Sequence, residues 1–248
     1  MKEFLTALQF LTIIPIKISK MDDNKLARSM IYYPIVGCLL GLILCAITLI
    51  TSRIGCSSIA EAIIIIISLI ILTGGIHLDG LADTADAFLS RTSKEKMLLI
   101  MRDSHIGTMG VLSLLSALLL KIAFLSTLSP ALKIPAILLM CILSRWSLVF
   151  STYIFPYARK EGKARAFKEK IHFKIYLLAT LFTLGAAIEF GRFYGLIAFS
   201  AIGLNAYVFG YFFKRHLGGI TGDTLGAVSE ISEIIVLLCF CLLGRSAL

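Results

Sequence analysis

Long apolar runs alternate with short polar connectors along the whole chain. Seven of these runs, Ile31–Ser52, Ile59–Thr73, Thr108–Leu128, Ile134–Ile154, Phe173–Phe190, Phe193–Phe213 and Leu225–Leu243, are candidate membrane-crossing helices. A helix needs about 20 apolar residues to cross the hydrocarbon core. Ahead of them, Phe4, Leu8 and Leu11 recur at helical spacing and predict a short amphipathic helix lying in the membrane interface. Gly37 and Gly41 form a small-xxx-small pair that lets one backbone approach another. Glu61 lies near one end of the short second run, and Glu230 and Glu233 interrupt the first half of the last one. With no internal repeat or low-complexity tract, the pattern predicts one domain over residues 1–248. That domain is an all-α polytopic integral membrane bundle of seven spanning helices and an N-terminal interfacial helix.

Composition agrees. The chain is 58% hydrophobic and 16% charged, with a mean hydropathy of +0.92, whereas soluble domains are about 45–50% apolar and about 25% charged. A formal net charge of +9 would suit nucleic acid, but the cations lie in the connectors between apolar runs and argue against that partner. Lys and Arg concentrate in residues 1–30, in the Asp-rich connector, in residues 155–172 and in residues 214–230, while the alternate connectors hold only Arg53, Lys133, Arg192 and Arg245. The positive-inside rule then puts the N-terminus and the long connectors in the cytoplasm and, with seven spans, the C-terminus outside. The six cysteines show no metal-finger spacing and read as packing residues. No small-residue cleavage site follows the N-terminal apolar run, so a cleavable leader is not expected.

Two connectors, 74–110 and 214–233, carry the chemistry, and both fall on the same predicted side. In GGIHLDGLADTADAF, Asp79, Asp83 and Asp86 stand at i, i+4 and i+7, one face of a helix. Like charges so arranged repel each other. Hard carboxylate oxygens at that spacing suit Mg²⁺ or Mn²⁺ and phosphate chemistry. A solvated acidic face paired with Arg91 and Lys94 is the plainer alternative. In IMRDSHIGTMG, Asp103 would complete a metal site and Arg102 would hold a phosphate oxygen, or the two would pair with neighbours. His77 and His105 flank the motif as candidate substrate or base groups. In LGGITGDTLGA, Gly219, Thr221, Thr224 and Asp223 form a glycine-rich loop opening a helix, suited to cradling phosphate. The basic stretch beginning at Arg159 serves either anionic lipid headgroups or a polyanionic substrate. Lys121 and Arg145 are the cations inside apolar runs. Lys121 snorkels to the interface, and Arg145 pairs with a buried acid or meets substrate.

These segments, with the Ser144-Arg145 pair, YARKEG, the N-terminal ALQFLTIIPI, Tyr33-Pro34 and Gly37, resemble the cobalamin synthase (adenosylcobinamide-GDP ribazoletransferase) family over nearly the whole chain. Ile13 and His105 stand where that family commonly has Arg. The resemblance implies a Mg²⁺-dependent enzyme of the cytoplasmic (inner) membrane whose active site faces the cytoplasm. A ribose hydroxyl of α-ribazole or its 5′-phosphate attacks the phosphorus joining cobinamide to GMP in adenosylcobinamide-GDP. GMP leaves, and adenosylcobalamin or its phosphate forms. On this reading Asp79, Asp83, Asp86, Asp103 and Asp223 bind metal, Asp83 or Asp86 takes the proton, and Arg102 stabilises phosphate charge. His77, His105, Arg145, Arg159, Gly219, Thr221 and Thr224 bind substrate. Membrane lipids are the other partners, with a homo-oligomer or a complex with other cobalamin-assembly enzymes left open. The competing readings are a CDP-alcohol phosphotransferase, whose motif has an Ala-Arg pair absent here, and a metal or proton transporter, which predicts acids near mid-span on several helices.

Overall fold

The computed structural model describes residues 2–16, 23–159 and 170–245. Most of the basic connector, residues 160–169, lies outside them, as do Lys17 and Lys20. The order is α1 (Lys2–Leu11), α2 (Asp23–Ser29), a 3₁₀ turn (Met30–Tyr32), α3 (Tyr33–Arg53), α4 (Ser58–Thr73), α5 (Ile76–Leu89), α6 (Lys94–Ile100), α7 (Thr108–Thr127), α8 (Pro130–Ile154), α9 (Phe173–Leu217) and α10 (Gly222–Arg245). Among the described residues there is no strand, only an isolated bridge between Tyr157 and Ile220. All seven apolar runs are helical. Among the described residues five helices qualify as spans by length and apolarity, or six if the bent pair α4–α5 counts as one.

The bundle is built around α8. Almost all of its residues from Ala136 to Thr152 are buried, with α3, α9 and α10 packed about it. Its closest neighbour is α3, through the expected glycine pair. A methyl group at Gly37 would sit 2.4 Å from the Cys141 carbonyl oxygen, and Gly41 lies against Leu138. Gly37→Ala should therefore cost about 1–3 kcal/mol by forcing α3 away from α8. Thermal unfolding in detergent checks this, and an unchanged midpoint would contradict the packing. In contrast, Leu112, Leu115, Leu119 and Leu120 on α7 are exposed, as suits a helix whose outer surface meets lipid tails rather than protein.

Two breaks shape the rest. Gly74 and Gly75 both adopt left-handed backbone (φ 64° and 68°), which glycine tolerates without a Cβ clash. There α5 departs from α4 at 92°. The acidic part of α5, from Asp79 onward, lies beside the first turn of α10, and we count it outside the spanning segments. The Ile13 N–H donates to the Leu72 carbonyl (2.9 Å), tying the chain after α1 to this joint. The second break is Arg192 in α9, with φ 47° and ψ −125°. Here the helix turns back on itself. Gly195 presses on Ala187, while Tyr153 at the end of α8 stacks on Tyr176 and neighbouring Phe155 meets Tyr207. The two runs expected as separate spans are the two arms of this hairpin.

Charged groups inside the bundle are matched. Lys121 of α7 pairs with both Glu230 and Glu233 of α10, and Glu233 also pairs with Arg145 of α8. All four are at least 95% buried. Lys121 thus does not snorkel, and the acids that interrupt the last apolar run are the partners its placement requires. Glu61 pairs with Lys133 and accepts from Thr51 and Ser52, joining α3, α4 and α8.

Candidate active site

The acidic stripe lies on α5, which is pressed on the first turn of α10. Gly80 makes this contact possible, since a methyl group there would sit 2.7 Å from the Asp223 carbonyl oxygen. Asp223 joins the stripe by this route, across more than a hundred residues of sequence.

Asp223 is held from the other side by two hydrogen bonds to one oxygen. Arg159 donates to its Oδ2 (2.8 Å), and the Thr221 hydroxyl donates to the same oxygen (3.3 Å). Thr221 and Thr224 cap the start of α10 reciprocally, each backbone N–H donating to the other's hydroxyl (2.7 and 3.2 Å). Residues 156–158 zip onto the glycine-rich loop, with the Ile220 N–H donating to Pro156 (2.8 Å) and the Ala158 N–H to Ile220 (2.9 Å). Gly219 is buried against Pro156 in this zip.

The consequence is an unbalanced cluster. Burial pushes the half-buried Asp83 carboxyl up to about 7, helped by the charges of Asp79, Asp223 and Asp86 and opposed by Arg159. Among the described residues Arg159 is the one cation ion-paired with this cluster, and neither Arg91 nor Lys94 pairs with the stripe. Beside it opens a cavity of about 170 Å³ whose wall includes Asp79, His77 and Asp223 together with Phe10, Leu148 and Leu225. An acidic patch beside an apolar wall suits a substrate with a charged bridge and a bulky apolar part.

The remaining sequence-based candidates have other partners, and of them His77 alone lines the cavity. Asp86 accepts backbone N–H groups at both oxygens, from Gly107 (2.7 Å) and Gly110 (2.8 Å). Asp103 is exposed and bound to His105 (2.6 Å). The hydrogen bond and the opposite charge hold His105 above its ordinary range and Asp103 below its own. The pair takes the neighbour-pairing alternative rather than completing the stripe, and Arg102 is exposed beside it. Arg145 pairs with a buried acid and does not line the cavity. Thr221 and Thr224 are fully buried and used in capping, so they support Asp223 instead of facing a ligand. His77 is buried at the cavity wall with Nδ1 3.4 Å from the Ser229 hydroxyl. Among the described residues no group of three or more His, Cys, Asp or Glu side chains converges to hold a metal ion by itself.

Sequence reasoning did not find Phe10, Met30 and Tyr33 as cavity wall. It also did not find the Asp86 contacts, although the G-x-x-G spacing at the start of α7 was there to be read.

Comparison with known proteins matches the amino-acid sequence to a family. The family model described as cobalamin-5-phosphate synthase covers residues 3–241. The chain belongs to that family. Its relatives include an adenosylcobinamide-GDP ribazoletransferase of Desulforamulus reducens, 39% identical over 240 residues, which is 96% of this chain and 95% of the relative. The protein of that name from Roseiflexus sp. is 38% identical over 232 residues, 93% of this chain and 86% of the relative. The one from Escherichia coli (strain K12 / DH10B) is 36% identical over 249 residues, 96% and 98% of the two chains. No solved structure matches the chain significantly. The family match decides against the transporter and CDP-alcohol phosphotransferase readings.

Proposed function

We propose that this chain is an adenosylcobinamide-GDP ribazoletransferase. A ribose hydroxyl of α-ribazole, or of its 5′-phosphate, attacks the phosphorus joining cobinamide to GMP, GMP leaves, and adenosylcobalamin or its phosphate is formed. Family membership and near full-length similarity support the reaction. The observation that carries the mechanism is the Asp79–Asp83–Asp223 cluster, where repulsion and burial leave Asp83 starved of a cation.

Among the described residues, carboxylates gathered around a single paired cation, Arg159, suit Mg²⁺. The ion is usually held by one or two carboxylates plus substrate phosphates and not by a protein cage, so the lack of a three-residue cage is consistent with it. Asp79 and Asp223, both on the cavity wall, would hold the ion. When bound, it would neutralise the charge developing on the transferred phosphate. Asp83, with its affinity for protons near neutrality, is suited to take the proton from the attacking hydroxyl. Arg102 approaches the phosphate from the exposed connector, and the apolar wall accommodates the bulky substrate. The membrane is the cytoplasmic one, and this end of the bundle faces the cytoplasm.

The test uses purified protein in detergent or lipid with adenosylcobinamide-GDP and α-ribazole, with and without Mg²⁺. GMP release should require both substrates and the metal, and its absence under every condition would reject the reading. The pH profile adds a second expectation. Below about 7 Asp83 carries a proton and neither accepts one nor adds charge for a cation, so the rate should fall as pH drops. Because a bound cation favours the ionised carboxylate, saturating Mg²⁺ should move that limb to lower pH. A limb insensitive to Mg²⁺ would separate Asp83 from the metal.

A further inference from the structure

The third aspartate of the stripe is spoken for. Asp86 Oδ2 accepts the N–H of Gly107 and Oδ1 that of Gly110. Gly107 is the N-cap of α7 and has no side chain with which to cap it. In the usual capping box, the N-cap and N3 backbone donors are satisfied by two residues of the helix itself. Here one carboxylate from another helix satisfies both, and its charge also suits the positive end of the α7 dipole. The fit is close. Methyl groups at Gly107 and Gly110 would sit 2.5 and 2.4 Å from the Asp86 oxygens.

The stretch leading into this clamp is exposed from Arg102 to Ile106. Its other end is anchored as well. Met101 is buried with Ala87 and Leu217, and its sulfur lies 3.8 Å from the Thr221 hydroxyl oxygen. The loop bearing Arg102 is therefore strung between α5, one turn beyond Asp83, and the capping turn that holds Asp223.

We infer that Asp86 is a positioning residue: it fixes the Arg102–Ile106 loop to the acidic cluster by clamping the start of α7, and it is not a ligand of the metal. Each of its oxygens already gives one acceptor position to the helix, which holds the carboxylate toward α7. Its effect on turnover passes through the loop, so Asp86 variants should impair binding of the pyrophosphate-bearing substrate and leave the metal dependence alone. That consequence for binding rests on the phosphate role proposed for Arg102, while the clamp itself does not.

The experiment compares wild type, Asp86→Ala, Asp86→Asn, Gly107→Ala, the Asp86→Ala/Gly107→Ala double variant and Arg102→Ala as intact proteins in lipid nanodiscs. Hydrogen exchange of residues 106–111, KM for adenosylcobinamide-GDP and the half-saturating Mg²⁺ concentration are measured for each. Loss of two charge-assisted hydrogen bonds should speed exchange and raise KM by roughly tenfold or more in Asp86→Ala. Gly107→Ala should do the same by displacing the carboxylate, and the double variant should be no worse than either single one. Asp86→Asn, which keeps one acceptor oxygen, should lie between and serves if the alanine variant does not fold. Half-saturating Mg²⁺ should stay at the wild-type value throughout. Unchanged exchange in the Asp86 variants would overturn the proposal, as would a shifted Mg²⁺ requirement with KM intact. If Arg102→Ala leaves KM unchanged, the reading of Arg102 fails by itself, and the exchange data still judge the clamp.

Discussion

Asp83→Asn should lower GMP release by about 10²–10⁴-fold, the range for loss of a general base, while the protein stays folded. Asparagine matches the shape of aspartate but can neither take a proton nor contribute charge, so the effect isolates the chemistry of the carboxylate. The residual rate should also lose its decline below pH 7, because the group that titrates there is gone. Single-turnover measurements at saturating substrate, with circular dichroism as a check on folding, are the relevant assay. Retention of more than about a tenth of the wild-type rate would remove Asp83 from the proton-transfer role.

Glu233→Met should be the most damaging change for stability. Its carboxylate is shared by Lys121 and Arg145, and none of the three has appreciable contact with solvent. Removing it leaves Arg145 without its ion pair in the interior, and breaking one partner of a buried pair costs about 3–5 kcal/mol. Replacing Arg145 and Glu233 together by methionine should cost much less, since no unpaired guanidinium is left behind. The comparison is made from melting curves in a single detergent. If the single variant melts within about 2 °C of wild type, the network does not hold α7, α8 and α10 together.

Much of this was legible in the chain because the lipid phase imposes a strong, local pattern. Each apolar run became a helix, the Gly37–Gly41 pair met α8, and Asp79, Asp83 and Asp86 fell on a single helix as their spacing requires. What the sequence could not supply were pairings between distant segments. Lys121 and Glu230 stand on different helices, and nothing local tells either that the other is its counter-ion. The same holds for Arg159 with Asp223, which were both singled out but not as partners. Asp86 shows the converse limit. Spacing alone grouped it with its two neighbours, yet its location at the start of α7 gives it a different task. Local hydrophobicity also reads α9 as two segments but says nothing of how Arg192 joins them.

The first helix is more than an anchor. Phe10 stacks on Tyr33 and forms part of the cavity wall, and the backbone just beyond holds the joint between α4 and α5. The amino-terminal segment thus supplies part of the cavity wall and braces the joint that sets the acidic helix. An affinity handle or reporter fused close to Lys2 sits on the same helix as Phe10, whereas the far end of α10 is about 30 Å along that helix from Asp223. Expression vectors for this protein are best built with their additions at the carboxyl end.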